Sequence, residues 1–415
     1  VDTLRADHLG AYGYGRPTSP QVDALAADGV VFEAAVAQSS WTRPTVASLL
    51  TGLHPQVHGA NGRDDALAPE LPRLSTTLRD AGYRTAAFFT NGNAGPNFGF
   101  AEGFDDVEYF RERKTARIHV PAEEVTDAVI GWLDRRPAGA PFLLWVHVSD
   151  PHAPYDPPEP FRGRFGAGHL PPEAGSIQEL YRAGGGDRPA TPREELIDLY
   201  DGEIATTDRA LGRLVRRLGA EGLLDETVVV FVADHGEAFQ EHGRWQHGND
   251  LHQEQIHVPL IVRLPGARRA GLRVADRVQQ IDVFPTLLDL LDLPVPEGVQ
   301  GRSLLPLLAG GGGDGPPVYS YLAKDGMELS AVIAGHLKLI RDVVYDRERP
   351  PRHLYDLADD PEERFDRWSD EDVAGGYLES LLLRADLRWS ARAPRVRGDL
   401  DRELVERLQA LGYLR

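Results

Sequence analysis

The sequence predicts an α/β fold in which a doubly wound, mostly parallel sheet is flanked by helices and followed by a small C-terminal α+β subdomain. Short apolar runs alternate with helix-length segments up to about residue 300. The runs are continuously apolar, which is typical of strands buried on both faces of a parallel sheet. The predicted strands are residues 84–89, 142–148, 227–232 and 258–263, and the predicted helices are residues 20–28, 122–136, 194–218 and 282–291.

The chain divides at a joint rich in glycine and proline. Residues 1–309 form the predicted large domain, residues 310–317 the joint and residues 318–415 the C-terminal subdomain. Inside the large domain, the Pro- and Gly-containing residues 153–192 are expected to form an excursion or lid. In the C-terminal subdomain, the pattern predicts a hairpin (330–334 and 337–341), a further strand (353–357) and two helical stretches, of which the second is 399–411.

Composition excludes several functional classes. Lys and Arg total 45 against 64 Asp and Glu, a formal net charge of −19, so the chain lacks the basic surface expected of a nucleic-acid-binding protein. The absence of cysteine excludes disulfides, thiolate nucleophiles and cysteine-bound metals. No apolar run is long enough for a membrane span. The sequence assigns no compartment.

Several predicted strands end in side chains that can bind metal or phosphate. Strand 227–232 leads into Asp234, His235 and Gly236, and strand 142–148 is followed by His152. Sites in open α/β sheets form at such carboxyl ends. Asp-His-Gly alone favours a plain strand-to-loop turn, but five of the 14 histidines lie between residues 235 and 257, and this cluster favours ligands or acid–base groups. For His147, a capped turn residue and a site residue are equally good interpretations. His242, His252 and His257 are interpreted as ordinary hydrogen-bonding residues.

Residues 40–52 contain a second candidate pattern. Pro44 just inside a helix start, with Thr42 as the preceding cap, predicts a helix N-terminus. A hydroxyl there lies at an anion-binding position, although a plain N-cap is the commoner role of such a threonine. Asn91, at the end of strand 84–89, could donate a hydrogen bond to the same anion or simply form a turn before Gly92.

Together these segments resemble the sulfatase family of the alkaline phosphatase superfamily. The resemblance is collinear over nearly the whole chain and therefore implies an alkaline-phosphatase-like fold. Residues 2–10 (DTLRADHLG) and 233–237 (ADHGE) through 257–260 resemble the two metal-binding segments, 19–26 the first helix, 42–52 the nucleophile segment and 353–363 a C-terminal motif.

The chain departs from the family at the nucleophile. Thr42 lies where sulfatases carry the Cys or Ser that is oxidised to formylglycine, and its β-methyl group would turn that oxidation into ketone formation. The motif's Arg is Val46, and the family's Gly-Lys-Trp-His segment corresponds to residues 89–92, so its Lys and His are absent. A threonine nucleophile instead resembles the phosphodiesterases and phosphoethanolamine transferases of the superfamily.

The resemblance implies roles for particular residues. Asp2, Thr42, Asp234 and His235 would bind a divalent metal, with zinc or manganese favoured and calcium weakened because Thr3 replaces a second Asp. The nucleophile would be Thr42, the other catalytic residues His152 and His247, and the substrate-binding residue Asn91. Asp2 is expected to end a central strand that the chain as given lacks, so we expect the chain to be destabilised and to bind metal weakly.

The sequence therefore predicts a metal-dependent hydrolase that cleaves a phosphate ester, in particular a diester, through a covalent Thr42 intermediate. The substrate would be an anionic ester of a small molecule or of glycan or lipid type. One alternative is a sulfatase that works without formylglycine. Another alternative is an inactive metal- or anion-binding module. The retention of the expected ligands and of His247 argues against it. A phosphoryl transferase is disfavoured because such enzymes usually carry membrane segments.

Overall fold

The computed structural model describes residues 1–110, 120–171, 173–176, 179–180, 191–313, 315–343, 351–389 and 396–398. Its α-helices are α1 (Pro20–Ala27), α2 (Thr42–Thr51), α3 (Pro55–His58), α4 (Leu74–Asp80), α5 (Ala122–Arg135), α6 (Arg193–Ala220), α7 (Gln253–Ile256), α8 (Val283–Leu290), α9 (Leu305–Leu308) and α10 (Asp372–Trp389). Its β-strands are β1 (Val30–Val36), β2 (Asp65–Ala66), β3 (Arg84–Phe89), β4 (Asp106–Tyr109), β5 (Phe142–Val146), β6 (Val229–Val232), β7 (Ala238–Phe239), β8 (Trp245–Gln246), β9 (His257–Arg263), β10 (Leu272–Gln279), β11 (Val318–Lys324), β12 (Met327–Ala334), β13 (Leu337–Asp342), β14 (Arg352–Asp356) and β15 (Val396–Arg397). None of the helices in these ranges has the length and apolar content needed to cross a bilayer.

The central sheet consists of two halves. One half has the strand order β10-β1-β9-β6 and the other β4-β3-β5. β1 pairs parallel with β10, and β3 pairs parallel with β4 and β5. β9 is antiparallel to both β1 and β6, so the predicted mostly parallel sheet is confirmed with β9 as the exception. The apolar run of β9 did not reveal its direction because a strand covered on both faces is continuously apolar in either direction.

The first residues of the chain connect the two halves of the sheet. The amino group of Val1 donates to the carbonyl of Val232 at 3.0 Å. The N–H of Asp2 donates to the carbonyl of Val148 at 2.9 Å, and that of Asp234 donates to the carbonyl of Val1 at 3.1 Å. Asp2 and Asp234 are thereby held at the carboxyl ends of β5 and β6.

A mostly apolar cavity of about 610 Å³ lies beside this contact. Its walls include Leu143 and Trp145 of β5, Val230 of β6 and side chains of the helices above and below, such as Leu25 and Leu287. The expectation of a strand that ends at Asp2, and of weak stability and weak metal binding without it, stays a prediction.

Helices pack on the sheet in two groups. α6 contacts α1 and α5, where Val129 and Trp132 pack with Leu214 and Leu218. α8 contacts α2, and its Leu288 packs with α4. The predicted helices correspond to α1, α5, α6 and α8 with ends shifted by one or two residues. β1 and β10 were not predicted, and β10 (LRVADRVQ) carries polar residues because it is the edge strand of its sheet.

The C-terminal sheet has the antiparallel order β11-β12-β13-β14 and is covered by α10. The predicted hairpin is present as β12 and β13, and the predicted strand 353–357 corresponds to β14. The helix predicted for 399–411 lies outside the described residues. β11 docks on the chain after β1, where the Ser320 hydroxyl donates to the Ala37 carbonyl at 2.6 Å and the Tyr321 N–H to the Gln38 carbonyl at 2.8 Å. The division at residues 310–317 and the lid role of residues 153–192 stay predictions.

Candidate metal centre and nucleophile

Thr42 is the first residue of α2, and the cap position belongs to Trp41. The predicted capping role of Thr42 is therefore wrong, and the contacts of its hydroxyl are with His235 and Asn91. The Thr42 hydroxyl is fully buried, with Oγ1 3.3 Å from His235 Nε2 and 3.4 Å from Asn91 Nδ2. Because the hydroxyl does not serve the helix, it is available for chemistry at the positive end of α2.

Asp2 and Asp234 form a buried carboxylate pair. Backbone N–H groups of Thr3 and His235 donate to Asp234 Oδ1, and Asn91 Nδ2 donates to Asp2 Oδ2 at 2.6 Å. The other oxygens, Asp2 Oδ1 and Asp234 Oδ2, have no hydrogen-bond partner among the described residues. These two atoms lie 3.5 Å and 3.6 Å from His235 Nε2.

His147, which the sequence left open, joins this pair. Its Nε2 lies 3.7 Å from Asp234 Oδ2, which is too long for a hydrogen bond, and has no other partner in the described ranges. Asp2, His147 and Asp234 each offer a ligand atom, and these atoms all lie within 4.8 Å of one another. The geometry therefore adds His147 to the ligands proposed from the sequence.

The donor set fits a divalent cation. Buried polar atoms are normally hydrogen-bonded, yet three oxygen and nitrogen atoms here are not, and they converge on one point. Burial, together with the charge of Asp234, raises the pKa of Asp2 to about 8, which is the mark of two carboxylates that need a positive charge between them.

His235 is held with one nitrogen facing this centre. Its Nδ1 donates to the Gly236 carbonyl at 2.9 Å, which leaves the lone pair of Nε2 towards Thr42 and the carboxylates. Gly236 is required here because a Cβ at this position would lie 2.1 Å from the carbonyl oxygen of Glu254. The Asp-His-Gly sequence thus combines two site residues with a glycine that lets the backbone of α7 pack directly against the chain.

His247 lies beside His235, and His152 lies beside His247. The ring centroids are 4.5 Å apart for His235 and His247 and 4.9 Å apart for His152 and His247. His247 Nδ1 hydrogen-bonds Glu237 Oε1 at 3.0 Å, and the Tyr155 hydroxyl donates to Glu237 Oε2 at 2.9 Å. All residues predicted from the sequence are thus brought together.

Glu237 and Tyr155 were missed by the sequence analysis. Burial raises the pKa of Glu237, whereas burial and the neighbouring His235 lower the pKa of His247, and such opposed shifts are typical of an acid–base pair. Glu237 could have been found from its place directly after Asp-His-Gly. Tyr155 gave no signal beyond its position in a Pro-rich stretch.

The remaining histidines of the 235–257 segment make hydrogen bonds or ring contacts, and His242 and His252 lie with Glu254 in a second group that could hold a metal ion. His242 hydrogen-bonds Glu254 at 2.9 Å and the Glu363 carbonyl at 3.1 Å, and its ring is stacked on His252 at 3.7 Å between centroids. His257 hydrogen-bonds the backbone carbonyl of residue 33.

Comparison with known proteins agrees with the geometry. Residues 1–293 match the family Sulfatase, and residues 240–377 match the family "N-sulphoglucosamine sulphohydrolase, C-terminal". The chain is 26% identical over 372 residues to an arylsulfatase of Clostridium perfringens, covering 74% of this chain and 77% of that protein. It is 27% identical over 340 residues to an ulvan-active sulfatase of Formosa agariphila, covering 74% of this chain and 63% of that one. Among solved structures, the phosphonate monoester hydrolase of Agrobacterium radiobacter superposes with a TM-score of 0.76 at 25% identity, covering 93% of this chain and 94% of that one.

Proposed function

The chain belongs to the sulfatase family of ester hydrolases in the alkaline phosphatase superfamily, and on that premise we propose that it cleaves a phosphate ester, in particular a diester, through a covalent intermediate on Thr42. The observation that carries this proposal is the Thr42 hydroxyl. It lies at the start of α2, within 3.4 Å of both His235 Nε2 and Asn91 Nδ2 and beside the Asp2–Asp234 pair.

The residues that would hold a divalent cation are Asp2, His147, Asp234 and His235, together with Thr42 Oγ1. When bound, the cation would lower the pKa of the Thr42 hydroxyl and polarise the ester group. The chain's own contribution is to keep these ligands buried and oriented before substrate arrives.

The protein side chains account for the remaining steps. Thr42 releases its hydroxyl proton to solvent and its Oγ attacks phosphorus, while the bond to the leaving alcohol breaks and that alcohol takes its proton from His247 or His152. Water then attacks phosphorus and gives one proton back to that histidine. The bond between phosphorus and Thr42 Oγ breaks, which releases the acid, and Thr42 Oγ takes up a proton from solvent again. Asn91, fixed by its hydrogen bond to Asp2, donates to a non-bridging oxygen. Glu237 holds the His247 ring in position through its hydrogen bond to Nδ1, as the buried carboxylate of a catalytic triad does.

Charge balance favours a diester over a monoester. The two carboxylates of Asp2 and Asp234 offset the charge of one divalent ion, so the loaded centre is close to neutral. A singly charged ester anion is then bound more easily than a doubly charged monoester. The classes that carry one charge are phosphate diesters, phosphonate monoesters and sulfate esters.

Hydrolysis of sulfate esters is the second candidate, because the curated relatives above are named arylsulfatase and ulvan-active sulfatase. A sulfate ester carries the same single charge as a phosphate diester. The identity of Thr42 argues against it, since the β-methyl group blocks oxidation to formylglycine. On either reading the substrate is an anionic ester of a small molecule, a glycan or a lipid.

Parallel turnover of three chromogenic esters tests the proposal. Bis-p-nitrophenyl phosphate, p-nitrophenyl phosphate and p-nitrophenyl sulfate are offered with zinc, manganese or calcium to the wild type, Thr42→Ala and Thr42→Ser. We expect the diester to be the best substrate and Thr42→Ala to lose about 10³-fold or more in kcat. Thr42→Ser keeps a hydroxyl and serves as the conservative variant. Dominant sulfate turnover would favour the second candidate, and no turnover by metal-loaded protein would favour a binding module.

A further inference from the structure

Lys324, the last residue of β11, brings an ammonium group from the C-terminal sheet to the candidate site. The docking of β11 on residues 37–38, through the bonds of Ser320 and Tyr321, fixes its position. The chain segment on which β11 docks continues directly into Trp41 and Thr42. Lys324 therefore reaches the nucleophile segment across a contact between two separate sheets.

The ammonium group of Lys324 lies between Trp41 and Gly248. Its Nζ is 5.1 Å from the centroid of the Trp41 ring. A Cβ added at Gly248 would lie 2.6 Å from the same nitrogen, so the ammonium is packed against the backbone that follows His247. Its charge contributes to the low pKa values of His235 and His247, which means that it is electrostatically coupled to both rings.

This ammonium has no counter-ion in the part of the chain that the structure describes. The carboxylate of the next residue, Asp325, is bound by Arg63, with Arg63 Nε 2.5 Å from Oδ1. Lys338 shows the usual arrangement, since its Nζ lies 2.6 Å from Glu363 Oε1. Burial and the charge of Arg63 lower the pKa of Lys324 to about 8, and the more distant charges of Asp325 and Glu237 offset this only in part.

The other cations near the site are already occupied. Arg43 is fully buried, and its guanidinium donates to the carbonyls of Gly62 and Asn93. Arg5 is paired with Asp7 and Glu241. Lys324 therefore differs from both in keeping its donors free for a ligand.

We propose that Lys324 binds the anionic group of the substrate beside Thr42, so that the C-terminal sheet supplies a substrate-binding residue. The ligand is a tetrahedral oxyanion: the non-bridging oxygens of a phosphate, phosphonate or sulfate ester. Identifying that oxyanion as the ester attacked by Thr42 rests on the proposed function. An ammonium at this position would stabilise the charge on those oxygens both in the bound substrate and in the transition state.

Binding of inorganic phosphate tests this without requiring turnover. Calorimetric titration of phosphate into the manganese-loaded full chain is compared for the wild type, Lys324→Gln and Lys324→Arg. Asp325→Asn is the matched control, because it changes the neighbouring charge on the same turn and lies outside the proposed site. We expect Lys324→Gln to weaken phosphate binding about tenfold or more, since hydrogen bonds to charged groups contribute that much to binding. Lys324→Arg should stay within about threefold of the wild type by the same reasoning.

The outcomes separate this inference from the proposed function. Equal phosphate affinity in the wild type and a folded Lys324→Gln protein would overturn it, as would the absence of any phosphate binding by the wild type. Unchanged kcat/KM for the diester in Lys324→Gln would overturn it while leaving the hydrolase intact. Phosphate binding that depends on Lys324, without cleavage of any ester, would sustain it and refute the hydrolase. The unfolding midpoint of each variant, measured in parallel, shows whether the fold is retained, and Lys324→Met provides a second neutral variant.

Discussion

Replacing Asp2 by asparagine is expected to stabilise the metal-free protein and to abolish its stabilisation by divalent metal. The ligand atoms of Asp2 and Asp234 lie within 4.8 Å of each other in a buried site, and at an effective dielectric constant of about 20 two charges at that distance repel by about 3 kcal/mol. Asp2→Asn removes this repulsion, which acts once Asp2 is ionised, and can keep the hydrogen bond from Asn91. It also removes a ligand.

The sign of the pH dependence follows from the raised pKa of Asp2. The folded metal-free protein holds a proton on Asp2 up to about pH 8, whereas the unfolded chain loses it near its ordinary value of 3.8. The metal-free protein should therefore lose stability as the pH rises from about 4 to about 8 and lose little more above that range. Asp2→Asn should show a weaker loss over the same interval.

The assay is thermal unfolding followed by circular dichroism at about pH 8, with EDTA or with excess manganese. In EDTA we expect Asp2→Asn to unfold several degrees above the wild type. In manganese at a hundred times its Kd the wild type should gain about 2.7 kcal/mol, and the variant should gain nothing. Asp28→Asn, which changes an exposed carboxylate, is the control and should behave as the wild type does. A variant less stable than the wild type in EDTA, or one with an undiminished response to manganese, would refute the reasoning.

Three further predictions concern individual side chains of the same region. His147→Gln should weaken metal affinity at least about tenfold in a competitive chelator titration, because a ligand is lost. The control His257→Gln should keep the wild-type affinity. Equal metal affinities in His147→Gln and the wild type would show that His147 is not a ligand. Glu237→Gln should lower kcat about ten- to a hundredfold with little change in KM and shift the pH profile, because the buried acid that orients the His247 ring is lost, and an unchanged profile would assign Glu237 a packing role. Although burial opposes protonation, the hydrogen bond to Glu254 raises the pKa of His242 to about 9. Protonated His242 should therefore contribute about 1–3 kcal/mol to the free energy of unfolding, in full below about pH 6.5 and no longer by about pH 9. Unfolding curves of wild type and His242→Gln that differ equally at both pH values would contradict the last prediction.

The residues that the sequence identified share one property. Asp2, Asn91, His152 and Asp234 follow strands or belong to collinear segments, and the carboxyl ends of neighbouring strands meet at one edge of a sheet. Knowledge of the segments was therefore enough to predict that these side chains lie together. The position of Thr42 was predicted, but its role as a cap was not correct, because the chain enters the helix one residue earlier.

The residues that the sequence missed depend on packing. Whether His147 faces the centre is decided by the pleat and twist at the end of β5, which an apolar run does not reveal. The position of Glu237 directly after Asp-His-Gly marks it as a candidate, but its role becomes clear only from its buried hydrogen bond to His247. Lys324 reaches the site through a contact between residues 283 positions apart in the sequence, that of Ser320 with Ala37. No local pattern encodes such a contact.

The central claim is that Thr42 forms a covalent bond with the substrate's phosphorus. Acid quenching during turnover of bis-p-nitrophenyl phosphate, followed by peptide mass spectrometry, tests it most directly. The account predicts a phosphoryl-type adduct on Thr42 in the wild type. In Thr42→Ser the adduct can form only on the new serine, and in Thr42→Ala no adduct forms on this peptide. Steady turnover of the diester with Thr42 unmodified, and undiminished in Thr42→Ala, would contradict it.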